Sequence, residues 1–475
     1  MTGAKPLVAV LGGGPAGVGA AWRLALRGFA KVVVVERGER FGGAAGSFDF
    51  EGQRVDFGSH RLHPACDPEI LADLKGLLGD DLLDRPRHGR IRLHDRWIRF
   101  PLHPADLLMR APKRFLFGAA RDAALKPMRR RDSAEETFAS VLERGLGPTI
   151  CADFYFPFAR KIWGVEPDQL SSIQAVRRVS AGSPAKLLRK LASAVPGLRP
   201  AGAGRFFYPR NGFGQITEAI AAAAIGTNAE LRPRCSVTAI EREGTAVKAI
   251  VVETPAGEER IETSFVLSTL PIGLAVRAAR PAAPGRVVEA AGRIRSRGMI
   301  LVYLCLETER VSEWDAHYLP QPDIPFTRVS EPKNYAATSE PRGQTVLCAE
   351  LPCSPEDPLW QASDQGLGDL ALDSLGRAAI KVDASLRAVA VRRLPHAYPI
   401  YDSGYERNFD ALDEWLGSFE GFATFGRQGL FAHDNTHHAL AMAYAAVDCL
   451  DDDARFDRDR WSEYRRGFES HVVED

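Results

Sequence analysis

The stretch Val8-Ala9-Val10-Leu11-Gly12-Gly13-Gly14-Pro15-Ala16-Gly17, followed by an Ala/Leu-rich run to Gly28 and by Val32-Val33-Val34-Val35-Glu36, decides the fold. An apolar run closed by glycines reads as a buried strand, the segment from Pro15 to Gly28 has helical periodicity, and the second valine run is another buried strand. Together they form a βαβ unit. Gly12 allows the tight turn, Gly14 lets backbone approach a pyrophosphate, and Gly17 lets the helix pack closely. Pro15, Ala16 and Gly17 open the helix, so its unpaired N–H groups face the phosphates. Glu36 lies nineteen residues beyond Gly17, where a carboxylate reaches ribose hydroxyls. A glycine fingerprint alone is weak, but strand, helix, strand and acid in register make a dinucleotide site the reading.

The run Arg37-Gly38-Glu39-Arg40-Phe41-Gly42-Gly43-Ala44-Ala45-Gly46-Ser47 follows directly. A glycine-rich turn after the ribose-binding acid resembles the flavoprotein pattern in which Gly42 and Gly43 lie against the FAD pyrophosphate, with Arg37 beside them. FAD is therefore the expected cofactor, with NAD(P) as the alternative.

At 475 residues the chain exceeds one ordinary domain. Its 45% hydrophobic and 26% charged residues are those of a globular protein, and 61 basic residues balance 61 acidic ones, so no overall field points to nucleic acid. No stretch approaches a membrane span and the N-terminus enters the first strand at once, from which a cytoplasmic protein is expected. The seven cysteines, Cys66, Cys151, Cys235, Cys305, Cys348, Cys353 and Cys449, form no C-x-x-C pair. Buried free thiols are expected, with no metal site.

Beyond the glycine turn, Gly52 reads as a hairpin turn, and Asp56-Phe57-Gly58 leads into Ser59-His60-Arg61-Leu62-His63. This Asp-x-Gly and His-x-x-His segment is similar to the one that passes the isoalloxazine in UDP-galactopyranose mutases and in the wider protoporphyrinogen-oxidase and amine-oxidase-like superfamily. The resemblance puts Gly58 at the cofactor and makes His60 and His63 candidates for tuning the flavin or moving a proton; the alternative is that they hydrogen-bond a loop. Lys161-Ile162-Trp163-Gly164-Val165-Glu166-Pro167-Asp168-Gln169-Leu170 resembles the mutases' Lys-x-Trp-Gly-x-x-Pro-x-x-Leu motif, and Arg177-Arg178 follow it. A flat indole suits a sugar or uracil ring, so Trp163 and Arg178 become candidate substrate contacts, although aromatic density this high also suits a core. Phe326-Thr327-Arg328-Val329-Ser330-Glu331 resembles the mutase Phe-Thr-Arg-x-x-Glu block. Its planar guanidinium makes Arg328 the leading substrate-anion ligand and a catalytic candidate, against an internal salt bridge to Glu331 or a similar acid.

Cys235 to Ile240 reads as a strand, and the resemblance brings Val237 to the adenine. The chain returns to the cofactor at Ala397 to Asp402, which makes Tyr401 a substrate candidate, and at Phe425-Gly426-Arg427-Gln428-Gly429-Leu430-Phe431-Ala432-His433-Asp434-Asn435. The latter resembles the family's closing flavin motif and assigns Gly426, Arg427, Asp434 and Asn435 to the cofactor and His433 to the substrate. Two departures stand out. The mutases carry a second diphosphate arginine where this chain has Val179 to Ser183, and tyrosines where it has Phe431 and His433.

The expected architecture is α/β: a Rossmann-like FAD-binding domain, discontinuous at 1–100, 205–280 and 395–475, with a substrate domain made of a helical insert at 101–204 and a mixed antiparallel sheet at 281–394. Residues 182–204, rich in Pro, Ala, Gly and Lys, read as a connection or lid. The expected function is an FAD-dependent oxidoreductase in which flavin N5 accepts hydride from a small, glycosyl or phosphorylated substrate. The alternative is a redox-neutral mutase acting on a nucleotide sugar, with reduced flavin as nucleophile. Between Pro101 and Arg131 eight basic residues, Arg110, Lys113, Arg114, Arg121, Lys126, Arg129, Arg130 and Arg131, face only Asp106 and Asp122. Such an amphipathic segment suits peripheral contact with an anionic membrane or a phosphorylated substrate, or else a solvated helical face.

Overall fold

The computed structural model describes residues 5–126, 136–178 and 204–472. Most of the stretch read as a lid, and the Val179 to Ser183 departure, therefore lie outside the described residues. The two valine runs form adjacent parallel strands, Leu7–Leu11 and Lys31–Glu36, joined by the helix Pro15–Arg27. They occupy the middle of a five-stranded parallel sheet, completed by Phe265–Ser268 and Phe422–Thr424 on one side and Glu230–Pro233 on the other. Strand alternation divides its core in two. Val8, Val10, Val32, Val34 and Leu267 pack under Pro15–Arg27, Gln215–Gly226 and Thr436–Asp448. Ala9, Leu11, Val33, Val35 and Val266 pack on the opposite face, against the antiparallel layer of Ser236–Glu243, Ala246–Thr254 and Gly257–Glu262 and its neighbouring helices.

A seven-stranded sheet makes the second half, in the order Leu386–Ile400, Arg295–Leu306, Thr345–Pro352, Arg328–Ser330, Ala316–Tyr318, Gly89–Leu93 and Arg96–Phe100. Its strands pair antiparallel except Ala316–Tyr318 with Gly89–Leu93. The helix Asp364–Arg377 covers one face. Three features of this sheet differ from the segment reading. The hairpin 89–100 belongs to it although it lies within the first 100 residues. Arg295–Leu306 begins four residues before the apolar run at Met299. Leu386–Ile400 runs on across residue 395, so one strand carries the chain from this sheet back towards the dinucleotide half.

The described residues of the insert are mainly helical, with Pro104–Arg110, Lys113–Leu125, Phe138–Leu146, Phe156–Trp163 and Ser172–Arg178 as the principal helices. The hairpin Ser47–Phe50 with Gln53–Asp56 turns at Glu51-Gly52, both at positive φ, as the glycine suggested. All seven cysteines are buried, and none forms a disulfide.

Candidate functional site

One large cavity, of about 1060 Å³, runs between the two halves. Its floor is the glycine turn. Gly12 sits at φ +99, and a Cβ there would lie 2.3 Å from Thr269 Oγ1, while a Cβ on Gly17 would lie 1.9 Å from the Gly12 carbonyl. Those two glycines are required by the fold itself. Gly14 is different: its φ is −74, open to any residue, and the nearest atom to an added Cβ is Gly43 Cα at 3.9 Å. The fold leaves room there, and Gly14, Pro15 and Ala16 line the cavity at a helix start that no side chain caps. A cradle of this kind, with a helix N-terminus aimed into it, fits the diphosphate of a dinucleotide. Gly42 donates to the Gly13 carbonyl at 2.8 Å and Gly43 packs on Gly14. Gly426, at φ +76, meets Ala16, where a Cβ would come within 2.8 Å. The three glycine turns therefore close on one another around the helix start.

The cavity wall also carries Glu36, Arg37, Gly43, Val237, His60, His63, Arg328, Arg427, Asp434 and Asn435. Both Glu36 oxygens accept backbone N–H groups, from Gly13 and Gly38 at 2.7 Å each, which fixes the carboxylate and leaves each oxygen a further lone pair for hydroxyls. Gly17, Gly42, Gly58 and Gly426 shape the wall from behind it, Gly58 at φ +98 beside the Glu350 carboxylate.

At the other end His60 stacks on Phe213 at 5.3 Å, with Nε2 2.9 Å from the Phe57 carbonyl. Burial pulls its pKa below the ordinary 6.5, and nearby Arg328 pulls the same way; Asp56, the Phe57 carbonyl and Glu350 pull back. The imidazole is thus neutral near pH 7, carries its proton on Nε2 towards Phe57, and keeps Nδ1 as the accepting nitrogen. Behind it Asp56 accepts from Ser47 Oγ (2.6 Å), Tyr208 Oη (2.6 Å) and the Phe213 N–H (2.8 Å), and its pKa is raised by burial.

Arg328 reaches the cavity, but its fork is engaged. Nε and Nη2 donate to the two oxygens of buried Glu350 at 3.0 and 2.8 Å, and Glu350 also accepts the Ser59 N–H at 2.8 Å. The internal partner is Glu350 and not Glu331, which is fully buried and accepts from the Val311 and Ser312 N–H groups and from Thr345 Oγ1. Two of its five N–H groups are thereby engaged, and the Arg328–Glu350 pair also holds the Ser59 N–H at the start of the loop that carries His60.

The other substrate candidates converge elsewhere. Trp163, Tyr401 and His433 are buried in one aromatic box, with His433 edge-on to Tyr401 at 4.9 Å and to Trp163 at 6.3 Å. Arg178 and Arg427 each lie 5.4 Å over the Tyr398 ring, and Arg177 lies 5.9 Å over Tyr401. Trp163, Arg178, Tyr401 and His433 do not line the main cavity; the box adjoins it through Arg427, which does. Arg427 donates to the Asp434 and Ala397 carbonyls, and its Nε and the Trp163 Nε1 are buried with no hydrogen-bond partner among the described residues. Burial and the Arg178, Arg427 and Arg177 charges hold His433 neutral, against a smaller pull from the Pro399 carbonyl. These two buried donors want acceptors and suit an oxygen-rich ligand, with the Arg177 and Arg178 guanidiniums over the Tyr401 and Tyr398 rings of the same box, although both His433 nitrogens and Asp434 Oδ1 are also unpartnered among the described residues. Sequence reasoning missed Arg392, which lines the cavity 4.4 Å over the Phe48 ring and pairs with no carboxylate among the described residues.

Residues 15–412 match the family described as flavin containing amine oxidoreductase. No curated protein matches the chain. Among solved structures it is similar to a reduced UDP-galactopyranose mutase, with TM-score 0.79, 19% identity and 93% of each chain covered. It is also similar to a cyclohexylamine oxidase from Brevibacterium oxydans IH-35A, with TM-score 0.65, 15% identity, and 97% of this chain and 100% of that one covered. An oxidoreductase from Methanosarcina mazei gives TM-score 0.65 and 14% identity over 93% of this chain and 99% of that one. At these identities the structural likeness establishes the fold.

Gly14→Val should fold, because its backbone angles are ordinary and the site is open, yet purify with little FAD, because the side chain fills the cradle. Flavin absorbance per mole of protein and the far-UV spectrum measure the two halves of this expectation. A folded variant with full flavin occupancy would contradict the placement of the diphosphate.

Proposed function

Because the chain belongs to the flavin containing amine oxidoreductase family and its cofactor is FAD, we propose that it is an oxidoreductase that dehydrogenates a small anionic substrate, glycosyl or phosphorylated. The observation that carries the substrate class is the pair of unpartnered buried donors, Arg427 Nε and Trp163 Nε1, beside Arg177 and Arg178. Gly14, Ala16, Gly17, Glu36 and Gly43 would hold the cofactor's diphosphate and ribose. When bound, FAD supplies the two-electron acceptor.

The chain's own residues supply the rest. Arg427 and Arg178 hold the anion, since neither pairs with a carboxylate among the described residues. Trp163, in the box behind Arg427, offers its unpartnered indole N–H. Neutral His60 takes the proton that an oxidised substrate must release, through Nδ1, while the Phe57 carbonyl keeps Nε2 protonated. Arg328 and Glu350, locked together, hold the Ser59 N–H and so the loop that carries His60. Aromatic and aliphatic walls around these groups keep water from the reacting end.

The second reading is the mutase one: a redox-neutral ring isomerisation of a nucleotide sugar that begins and ends with reduced flavin. It draws support from the Trp163-Gly164 block, which stands in the wall of the same box.

Four outcomes check the proposal. Oxidised protein mixed anaerobically with a panel of sugar phosphates, nucleotide sugars and anionic amines should lose its flavin band with one class and no added reductant. Turnover of UDP-galactopyranose by dithionite-reduced protein, with no net electron transfer, would replace the first reading with the second. Arg178→Ala should raise KM about 10- to 100-fold, the loss of one charge-assisted hydrogen bond, with flavin content unchanged; an unaltered KM would remove the anion from this box. Because burial holds the His60 pKa below 6.5, the acid limb of kcat/KM should fall below pH 6.5 and vanish in His60→Asn; a limb above pH 7 would assign the base elsewhere.

A further inference from the structure

We propose that the outward face of the two helices Pro104–Arg110 and Lys113–Leu125 seats on an anionic lipid bilayer, as a peripheral, non-spanning contact. The distribution of exposed apolar side chains points to it. Ten large hydrophobic residues are exposed among the described residues, and five of them, Leu102, Leu108, Met109, Phe117 and Leu125, fall in this one segment. The other five, Leu26, Val176, Ile225, Val288 and Leu359, lie on five separate elements. Phe117 is 76% exposed and Met109 75%. A soluble surface scatters such residues singly; a cluster on consecutive short helices marks a contact site.

Charge selects the occupant. Arg110, Lys113, Arg114 and Arg121 are exposed on the same two helices. The only acids between residues 101 and 126 are Asp106 and Asp122, and both are buried: Asp106 takes the Arg99 N–H and the Arg110 guanidinium, and Asp122 takes the Thr149 N–H and the Arg121 guanidinium, so Lys113 and Arg114 are the cations of the pair of helices that no acid of the segment neutralises. The outward face therefore presents apolar and cationic groups with no carboxylate, the complement of an anionic headgroup layer over hydrocarbon. On the second helix Lys113, Phe117, Arg121 and Leu125 recur every four residues, so cation and apolar group share one stripe. No described helix is long and apolar enough to cross a membrane, so the contact is interfacial. Phe100, two residues before Leu102, lies under the guanidinium of the cavity residue Arg87 at 5.1 Å. Docking would set that edge of the cavity against the interface.

Flotation of the purified full-length protein with vesicles tests this. Vesicles of phosphatidylcholine with about one-third phosphatidylserine should carry the protein up a density gradient, at least tenfold more than phosphatidylcholine alone, since each cation near an anionic surface strengthens binding about fivefold. Raising the salt to about 1 M, which shortens the screening length to roughly 3 Å, should weaken it. Met109→Ser/Phe117→Ser and, separately, Lys113→Glu should each lower binding on the order of tenfold while flavin content and melting temperature stay unchanged. Absence of flotation with anionic vesicles would overturn the proposal, as would equal binding to both vesicle types. So would a dimer in light scattering that the Met109→Ser/Phe117→Ser variant dissolves, because the patch would then be an interface between copies.

Discussion

The buried Asp56 carboxylate is the joint on which the two halves meet. It gathers Ser47 Oγ from the hairpin after the glycine turn, Tyr208 Oη from the strand Arg205–Pro209, and the Phe213 N–H from the turn that opens the helix Gln215–Gly226. Its own backbone carbonyl takes Tyr303 Oη from the seven-stranded sheet at 2.6 Å. A carboxylate this deep costs folding energy unless its oxygens are satisfied, and here both are. The satisfied joint fixes Phe57, hence His60, and sets the loop at Ser59 within reach of Glu350. The cavity wall at the reacting end is therefore built by polar groups whose partners come from four separate stretches of chain.

The βαβ unit was legible because its signal is local: two valine runs, three spaced glycines and one acid, all within thirty residues. The strands at Met299 and Thr345 were legible for the same reason, as uninterrupted apolar runs. The hairpin Gly89–Leu93 with Arg96–Phe100 was not read, although Ile91 and Leu93 alternate with Arg90 and Arg92 and Ile91 lies across from Ile98. Arginine at every second position masks a half-buried strand when only apolar density is weighed. Resemblance placed Trp163, Arg178, Tyr401 and His433 in one role, and the fold does bring them into one box. The role of Arg328 was the least legible, because its partner Glu350 lies on the neighbouring strand, paired with it in register. No spacing within the Phe-Thr-Arg-x-x-Glu block could disclose that pairing.

Two kinds of guanidinium result, and the distinction orders the site. Arg328 and Arg61 are committed, the first to Glu350 and the second to Asp315 and the hydroxyls of Tyr318 and Tyr335; they are part of the scaffold. Arg392, Arg427 and Arg178 rest on aromatic rings without a carboxylate partner among the described residues. An aromatic face holds a cation in place without a carboxylate; of these three, Arg427 spends Nη1 and Nη2 on the Asp434 and Ala397 carbonyls and keeps Nε unpartnered among the described residues.

The central claim is that one cavity holds FAD along its floor, with the diphosphate at the start of the helix Pro15–Arg27 and the reacting end between His60 and Arg427. A crystal structure of the protein as purified tests it most directly. The account predicts FAD density with phosphate oxygens within hydrogen-bond distance of the Ala16 and Gly17 N–H groups and the flavin ring beside His60 and Arg427. A flavin ring at Glu36, or phosphates paired with Arg328 in place of Glu350, would contradict it.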